Sequence, residues 1–358
     1  MSRVKLGDVA QEYKATVKDC SNLPIVGLEH LTPGEITLER WDEGTENTFT
    51  KGFKKGQMLF GRRRAYLKKA AVAPFDGVCS GDITVIEAIP GKILPELLPF
   101  IIQNDLLFDY AVGKSAGSLS PRVKWVDLKD YEFELPEIEK QASLVDLLKA
   151  AHATRKAYQE QIKATDDLVK SQFIEMFGDP NNNANTVSFE TAFTIRDDLR
   201  KPINDSVRSE MHENAMYPYY GANGQVDTIN QYLMDCTALC LAEDCGAYGA
   251  GEASSYIVSG KCWVNNHAHV IIPKECCDLH YANAFFKILD MTPYVSGSTR
   301  LKLTQGKMKE IPVVLPSIGE QMKFAAIVEQ SDKSKFELQQ AIEKVDNLIK
   351  SLIQQDNN

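Results

Sequence analysis

Basic side chains gather in one stretch in the first part of the chain. Between residues 51 and 69 there is no Asp or Glu, and the basic residues are Lys51, Lys54, Lys55, Arg62, Arg63, Arg64, Lys68 and Lys69. Guanidinium groups pair with phosphates and donate to guanine edges in the major groove. Because salt screens exposed charges beyond about 8 to 10 Å, this cluster matters more than the formal net charge of −9. We predict DNA contacts from Arg62, Arg63, Arg64 and Lys68; the alternative is a solvated basic loop.

Two polar loops with few acids occupy matching places further along the chain. The first contains Ser115, Ser118, Ser120, Arg122 and Lys124, and the second contains Ser298, Thr299, Arg300 and Lys302. Hydroxyl and cationic side chains are the usual donors to phosphate oxygens. Both loops are therefore predicted to contact the DNA backbone.

An aromatic turn adds a third candidate. Tyr219, Tyr220 and Asn223 lie in a segment punctuated by glycine, where Tyr can reach a backbone and Asn can pair with adenine. The alternative is a structural turn that packs its rings.

Motifs that carry catalysis or bind cofactors are missing. Gly113-Lys114-Ser115 resembles the end of a phosphate-binding loop, but Phe108 stands where that loop needs glycine. No Gly-x-Gly-x-x-Gly, Asp-Pro-Pro-Tyr or nucleophile-elbow segment is found. Cys236, Cys240, Cys245, His267 and His269 lack the tight cysteine pair of structural zinc sites, so neither a metal nor a cofactor is expected in this chain.

The elements that position these residues are duplicated. Residues 117–173 and 297–353 align without a gap at an offset of 180 positions. Matching segments are Gly117-Ser118 with Gly297-Ser298, Leu135-Pro136 with Leu315-Pro316, and Gln141 with Gln321. Two copies without an insertion indicate a spacing that is mechanically constrained.

Each copy ends in a long helix with an apolar stripe. The stripe follows steps of four and three, and Arg155 and Lys335 interrupt it at matching positions. Its main residues are Leu144, Leu148, Tyr158, Ile162 and Val169 in the first copy, and Phe324, Val328, Leu338, Ile342 and Ile349 in the second. A period of 3.5 residues is typical of a coiled-coil seam, and a helix over 137–177 is roughly 60 Å long. The alternative is a pair of ordinary helices buried in separate cores.

The repeat divides the chain into four predicted parts: a first α/β domain (1–135), a central helix (136–180), a second α/β domain (181–315) and a distal helix (316–358). Short apolar runs over 57–60, 70–73, 83–86, 238–241 and 268–272 predict strands. Helical spacing covers 94–110 and 281–289. The fold class is therefore mixed α/β, with two recognition modules on one shared plan.

Composition indicates a globular intracellular protein. Hydrophobic residues make up 44% of the chain and charged residues 25%, and no run is long enough for a membrane span. The eight cysteines follow no disulfide framework and are expected to be free thiols in a reducing cytoplasm. We therefore expect a cytoplasmic location.

Taken together, the two variable α/β regions and the duplicated tract resemble the specificity subunit of type I restriction-modification systems. The resemblance covers essentially the whole chain. It depends on the Leu-Pro-x-Ile-x-x-Gln junctions, on Phe177-Gly178-Asp179-Pro180, and on the segments 217–224 and 263–269, which are similar to recurring segments of that family's target recognition domains.

This resemblance implies a division of labour. Each target recognition domain would read one half of a bipartite DNA sequence, and the two helices would form an antiparallel pair that sets the gap and docks partners. Two modification subunits would transfer methyl from S-adenosylmethionine to adenine, and restriction subunits can join them. The chain itself would be non-catalytic.

Two other hypotheses stay open at this point. The first is a coiled-coil adaptor whose globular parts bind peptides or small molecules instead of DNA. The second is the specificity half of a single-chain nuclease or methyltransferase that has lost its catalytic half.

Overall fold

The computed structural model describes residues 2–354 except 19, 21, 45–47, 245, 253, 298 and 299. Cys245, Ser298 and Thr299, which the sequence singles out, therefore lie outside the described residues. The chain divides into two compact units, unit 1 (residues 1–158 and 341–358) and unit 2 (residues 159–340). The predicted four-part division follows the sequence repeat instead, and it stays a prediction.

Unit 1 is built on three small sheets. Its strands are β1 (Ser2–Lys5), β2 (Ala10–Glu12), β3 (Ile25–Val26), β4 (Lys51–Phe53), β5 (Met58–Gly61), β6 (Ala70–Val72), β7 (Gly77–Cys79), β8 (Ile83–Ala88) and β9 (Glu132–Leu135). Its short helices are α1 (Leu6–Val9), α2 (Leu98–Ile102), α3 (Asp105–Gly113) and α4 (Trp125–Leu128). The sheet orders are β1-β9, β2-β8-β5-β6 and β3-β7-β4.

The long helix α5 (Ile138–Phe177) follows β9, and unit 2 comes next. Its strands are β10 (Thr186–Val187), β11 (Phe193–Ile195), β12 (Tyr217–Gly221), β13 (Gly224–Ile229), β14 (Met234–Asp235), β15 (Ala238–Ala242), β16 (Ser255–Val258), β17 (Lys261–Val264), β18 (Ala268–Pro273) and β19 (Val313–Val314). Its helices are α6 (Phe189–Ala192), α7 (Asp205–Glu210), α8 (Leu279–Ile288) and α9 (Gln305–Lys309). The final helix is α10 (Ile318–Gln354).

The two units share one topology, which confirms the mixed α/β prediction. The sheet β11-β18-β15-β16 of unit 2 repeats the order of β2-β8-β5-β6 in unit 1, and the pair β10-β19 repeats β1-β9. Strands were predicted correctly over β5, β6, β8, β15 and β18. The apolar faces of these sheets form the unit cores, with Phe60 and Phe108 stacked in unit 1.

One predicted helix was wrong in its extent. The helix predicted over 94–110 is two helices, α2 and α3, separated at Gln103 and Asn104. The Asn104 side chain accepts a hydrogen bond from the N–H of Leu106, so it caps a new helix instead of continuing the old one. Apolar spacing alone does not reveal such a break.

The long helices pack together as the stripe predicts. Leu144, Leu148, Ile349 and Leu352 pack in the core of unit 1, so the start of α5 meets the end of α10. In unit 2 the end of α5 meets the start of α10, with the rings of Phe173 and Phe324 5.4 Å apart. The pair is antiparallel. Gly178, with φ +85°, ends α5 as the sequence indicates.

None of the predicted seam residues is exposed, while apolar residues beside the seam are. Leu148 and Phe324 are buried, and Leu144, Tyr158, Ile162, Val169, Val328, Leu338, Ile342 and Ile349 are half-buried. Leu168 and Leu348, which correspond in the repeat, keep 55% and 44% of their surface exposed. The moderate burial shows a seam that is narrower than a globular core, as in coiled coils.

A buried glutamine in each copy explains in part why the repeat contains no insertion. Nε2 of Gln141 donates to the Pro136 carbonyl (2.9 Å), and its Oε1 accepts from the N–H of Leu94 (2.8 Å). Gln321 does the same with Pro316 (2.8 Å) and Asp278 (2.8 Å). Each glutamine ties the first turn of a long helix to the segment that leads into an earlier short helix, α2 for Gln141 and α8 for Gln321. An insertion between Pro and Gln would leave buried polar groups unpaired.

Candidate nucleic-acid interface

Arg62 follows β5 in unit 1 and lies between two neighbouring segments, one at Asp82 and one at Val123. The N–H of Arg62 donates to the Asp82 carbonyl (2.9 Å), and the Arg62 carbonyl accepts from Val123 (3.0 Å). Arg63 then faces Arg122 across an isolated antiparallel bridge. The sequence folds this way because β5 and β8 are paired, which places the ends of both strands beside the polar loop at 115–124.

A single carboxylate orients the arginines of this cluster. Nε of Arg122 donates to Oδ1 of Asp82 (2.6 Å), while Nη1 of Arg63 lies 3.4 Å from Oδ2. The Arg122 hydrogen bond holds the pKa of Asp82 below its ordinary value, and Arg63 adds to the effect. With two cations on one anion, the cluster keeps a net positive charge.

A hairpin stands beside the cluster. Ala116 and Arg122 exchange backbone hydrogen bonds (3.0 Å each), and Gly117 turns the chain with φ +115°. Ser118 is exposed at the tip, next to a Leu119 side chain that is 90% exposed. Ser120 accepts from Nη2 of Arg63 (3.0 Å). Exposed Lys124 follows the hairpin and precedes α4.

Arg64 and Lys68 share an unusual backbone conformation but point to different surroundings. Both are left-handed, with φ of +53° and +52°. Exposed Arg64 is held to the hairpin, because its N–H donates to the Pro121 carbonyl (2.8 Å). Lys68 instead donates to Asp105 at 2.6 Å. The structure therefore brings Arg62, Arg63, Arg64, Ser118 and Arg122 together and leaves the Lys68 ammonium outside that cluster.

Unit 2 has a hairpin at the matching place. Ser296 and Lys302 exchange backbone hydrogen bonds (2.9 and 2.8 Å), and Gly297 has φ +100°. A Cβ on Gly297 would lie 2.4 Å from the carbonyl oxygen of Arg300, so glycine is required there. The described part of this hairpin carries Arg300 and Lys302.

At the strand end beside this second hairpin, acidic residues occupy the places that arginines occupy in unit 1. Glu243 and Asp244 follow β15 where Arg62 and Arg63 follow β5. The backbone pattern is the same, because Glu243 donates to the His267 carbonyl (2.8 Å) and accepts from Leu303 (2.7 Å). A cation-rich strand end in unit 1 thus corresponds to an acidic one in unit 2.

In unit 2, too, an acidic group orients the cations. Oδ2 of Asp244 lies 3.0 Å from Nη2 of Arg300, and Oδ1 lies 2.7 Å from Nδ1 of His267. Lys302 pairs with Glu243 at 2.8 Å. The sequence predicts Arg300 and Lys302 but not their acidic partners, because Glu243 and Asp244 correspond to Arg62 and Arg63 only through the shared backbone pattern of the two units.

A buried ionic network lies beneath this hairpin. Arg200 is bound to Asp197 at 3.0 Å and also to Glu243. His269 is 1% exposed and contacts Asp197 through Nδ1 at 2.8 Å. Burial raises the pKa values of Asp197 and Glu243, but the hydrogen bonds and charges of their partners outweigh it and hold both below their ordinary values.

The aromatic turn of unit 2 differs from its prediction. Tyr219 is 2% exposed and packs with Met211, Ile229 and Trp263, so its ring has no surface for a DNA contact. Tyr219 is buried because β12 is an inner strand of the sheet β13-β12-β17-β14, where alternate side chains face the core. Tyr220 is half-buried and stacks on Tyr256 (5.6 Å). Asn223 is exposed at the turn.

Within the described part of the chain, no group of three or more His, Cys, Asp or Glu side chains is arranged to hold a metal ion. No helix of that part has both the length and the apolar character for a membrane span.

Comparisons with known proteins agree on one class. Residues 199–345 match the family model of the type I restriction modification DNA specificity domain. The chain is 30% identical over 138 residues to a putative type I restriction enzyme specificity subunit of Haemophilus influenzae, covering 38% of this chain and 34% of that protein. It is 24% identical over 168 residues to the EcoDI specificity subunit of Escherichia coli, covering 44% and 35%. The chain thus spans about a third of the length of these curated relatives.

Solved structures share the fold over nearly the whole chain. A chain from a study of complex assembly and conformational transition in a type I restriction-modification system aligns with a TM-score of 0.55 and 19% identity, over 98% of this chain and 96% of that one. The type I S subunit from M. genitalium aligns with a TM-score of 0.52 and 13% identity, over 98% and 96%.

Residues 199–345 thus match the type I restriction modification DNA specificity domain, and the fold of nearly the whole chain is similar to that of solved type I restriction-modification proteins. The chain is therefore similar to type I restriction-modification specificity subunits.

Proposed function

We propose that this chain is the DNA-reading subunit of a type I restriction-modification complex. Each unit reads one half of a bipartite site, and the paired helices set the gap between the halves. The observation that carries the proposal is the pair of matching hairpins, Ala116–Arg122 and Ser296–Lys302. Each presents basic side chains beside the end of an inner strand, and each unit has one.

Electrostatics support this assignment more strongly for unit 1 than for unit 2. Around Asp82 two arginines outnumber one carboxylate, and Arg64 is exposed beside them. Around Arg300 and Lys302, Asp244 and Glu243 balance the cations. Unit 1 therefore contributes most of the phosphate attraction, while the acid-balanced hairpin of unit 2 depends on fixed geometry for its contacts.

Partner subunits complete the function in this proposal. Two modification subunits dock on the paired helices, bind S-adenosylmethionine and methylate adenine, and restriction subunits can join the complex. The chain itself holds no cofactor and does no catalysis. Exposed Leu168 and Leu348 occupy equivalent places on α5 and α10, which suits two copies of one partner. The complex acts in the cytoplasm, where its DNA substrate lies.

A mobility-shift assay with and without co-purified modification subunits tests this function. The isolated chain, with a formal net charge of −9, should bind a mixed-sequence duplex weakly. The complex should bind DNA tightly and with a steep salt dependence. Tight sequence-specific binding by the chain alone, unchanged by the partner, would contradict the division of labour. Absence of binding in both samples would favour a protein adaptor, and metal-dependent cleavage by the chain alone would favour a separated nuclease half.

A further inference from the structure

Leu119 lies at the tip of the unit 1 hairpin with its side chain in solvent. Among the large apolar side chains that the structure describes, it has the highest exposed fraction, 90%. Ala116, Gly117 and Ser118 beside it are exposed as well, and none of them is larger than serine. The tip is therefore a narrow projection with one large apolar side chain, whose burial against an apolar partner would be favourable.

Contacts at both arms hold this tip in place. Ala116 and Arg122 exchange backbone hydrogen bonds (3.0 Å each), which closes the turn. Nη2 of Arg63 donates to Oγ of Ser120 (3.0 Å), so the residue next to Leu119 is tied to the arginine cluster. The position of Leu119 relative to the arginines is thus set before any ligand binds, and little conformational entropy is lost when it does.

The charge around the tip identifies the kind of partner. Residues 114–126 contain no Asp or Glu and carry three cations, Lys114, Arg122 and Lys124. Asp82, the carboxylate that orients the cluster, is shared by Arg63 and Arg122. An apolar side chain surrounded by an excess of cations fits a polyanion that also carries apolar groups, and DNA is such a molecule.

The width of the hairpin decides which groove of a duplex can admit the tip. Only two backbone arms form the tip, and paired arms lie about 5 Å apart, or roughly 10 Å across with their side chains. The major groove of B-DNA is about 12 Å wide and admits a two-stranded ribbon, whereas the minor groove is about 6 Å wide. The guanidinium groups beside the tip also have their best base partners, the guanine edges, in the major groove. The tip therefore fits the major groove.

One base feature in the major groove is apolar. The edges of adenine, guanine and cytosine present hydrogen-bond donors and acceptors there, and thymine alone adds a methyl group. From the exposed leucine, the excess of cations and the width of the hairpin, we infer that Leu119 contacts the methyl group of a thymine in the half-site read by unit 1. The inference rests on the proposed DNA-reading function. It assigns Leu119 as a residue that determines sequence specificity.

The test removes that methyl group from the DNA. It uses the complex of the full chain with its modification subunits, after methylome sequencing has given the bipartite site. The half-site that changes when residues 2–135 are exchanged is the one read by unit 1. Each thymine of this half-site, on either strand, is replaced singly by deoxyuridine, which keeps the base pair and loses only the methyl group. One replacement should lower the affinity of the wild-type complex about fourfold, the size of one methyl group returned to water.

Leu119→Ala is the matched protein variant, because it shortens the apolar side chain at an exposed position without a change in charge. It should bind the unmodified duplex less tightly than wild type and should not respond to the uracil that wild type detects. Leu119→Met, which keeps an apolar side chain of similar volume, should retain the response. Leu106→Ala, at a leucine of α3 that is 50% exposed, is the control and should also retain it. Melting temperatures check that each variant is folded.

A double-mutant cycle of Leu119→Ala against the uracil measures the coupling between the side chain and the methyl group. If each uracil has the same effect in wild type and in Leu119→Ala, or if none lowers the affinity of wild type, the methyl contact is refuted. A 2-aminopurine fluorescence change in the half-site that depends on Leu119 but not on the methyl group would also refute it, since it shows insertion between base pairs. A wild-type complex without sequence-specific binding would refute the proposed function together with this contact. Specific binding with uncoupled effects removes the contact alone.

Discussion

Nζ of Lys335 on α10 lies 2.8 Å from Oδ1 of Asp166 on α5. The repeat turns this pair into a second one: Lys335 corresponds to Arg155 and Asp166 to Asp346, and Arg155 lies 3.7 Å from Asp346. The residue that interrupts the apolar seam of each helix is therefore an ion-pair partner for the other helix. These polar positions fix the register of an antiparallel pair that a continuous apolar seam would leave free to slide.

Exchange of these charges should reveal the register function. Asp166→Lys places two cations together and should destabilise the chain by about 1 kcal/mol, because Asp166 is partly exposed. The double variant Asp166→Lys with Lys335→Asp should recover most of that loss, and a double-mutant cycle from urea unfolding measures it. Lys163→Asp, one turn before the pair on the same helix, serves as a control for general charge effects. Additive single effects in the cycle would contradict an interaction between the two residues.

Acid should weaken the arginine cluster of unit 1. The pKa of Asp82 is lowered in the folded chain by Arg122 and Arg63, so its stabilising effect is present above its unfolded value, near pH 4, and is lost as the pH falls through the folded value. Asp82→Asn should lower stability at pH 7 by about 1 kcal/mol. The gap to wild type should narrow as the pH falls below the unfolded value and close once Asp82 is protonated in the folded chain. Melting temperatures across this range measure it, and a gap that is constant with pH would exclude the ion pairs as its cause.

Much of the architecture could be predicted because the relevant signals are local. The 3.5-residue spacing of apolar residues gave the seam of α5 and α10, and Gly178 gave the end of α5. The alternation of short apolar runs with turns gave β5, β8, β15 and β18. Each of these depends on a few consecutive residues and on one periodicity, so no knowledge of distant contacts is needed.

The candidate site was predicted less completely because its partners are distant in sequence. Asp82 joins Arg63 and Arg122 only when β8 lies beside β5, and no spacing rule connects these three positions. Tyr219 was proposed as a DNA contact from its glycine-rich surroundings, but sheet order buries it. The reversed charges at Glu243 and Asp244 also needed the shared topology of the units to become visible.

Arg64 should contribute a phosphate contact. Arg64→Asn removes the charge with a residue that tolerates the left-handed backbone. In the complex it should lower DNA affinity and reduce the slope of log affinity against log salt by about 0.9. Lys68→Asn is a matched control, since Lys68 has the same conformation but pairs with Asp105, and the slope should not change. Equal effects of the two variants would mean that the basic stretch attracts DNA only as a diffuse basic loop, without a specific phosphate contact at Arg64.

Recognition should be modular. The strands β1 and β9 pair from Ser2 with Leu135 to Lys5 with Glu132, so an exchange that ends near residue 130 would separate them. Residues 2–135 should therefore be exchanged together with the matching segment of another specificity subunit. We expect methylome sequencing to show one altered half-site and one retained half-site. A change in both halves would mean that the two units do not read independently.

The last prediction tests whether the helix pair acts as a ruler. Four residues inserted after Gln159 lengthen α5 by roughly 6 Å and rotate the remainder of the helix by about 40°. Counting from the pair of Arg155 and Asp346, Gln159 lies opposite Ile342, so the single insertion puts the seam beyond that point out of register with α10. We expect it to disrupt assembly unless the coiled coil absorbs it as a stutter.

A matched insertion provides the sharper experiment. Four residues added after Gln159 and four after Ala341 lengthen both helices at the same level, so that both ion pairs and the seam keep their partners. Because one base pair rises about 3.4 Å, the recognised sequence should keep its two half-sites with a gap longer by about one or two base pairs. Methylome sequencing of a host that carries the variant complex gives the gap directly. Full methylation at the original spacing would show that the helices do not set the gap, because a rigid pair lengthened by roughly 6 Å cannot hold both hairpins at their former positions on the duplex.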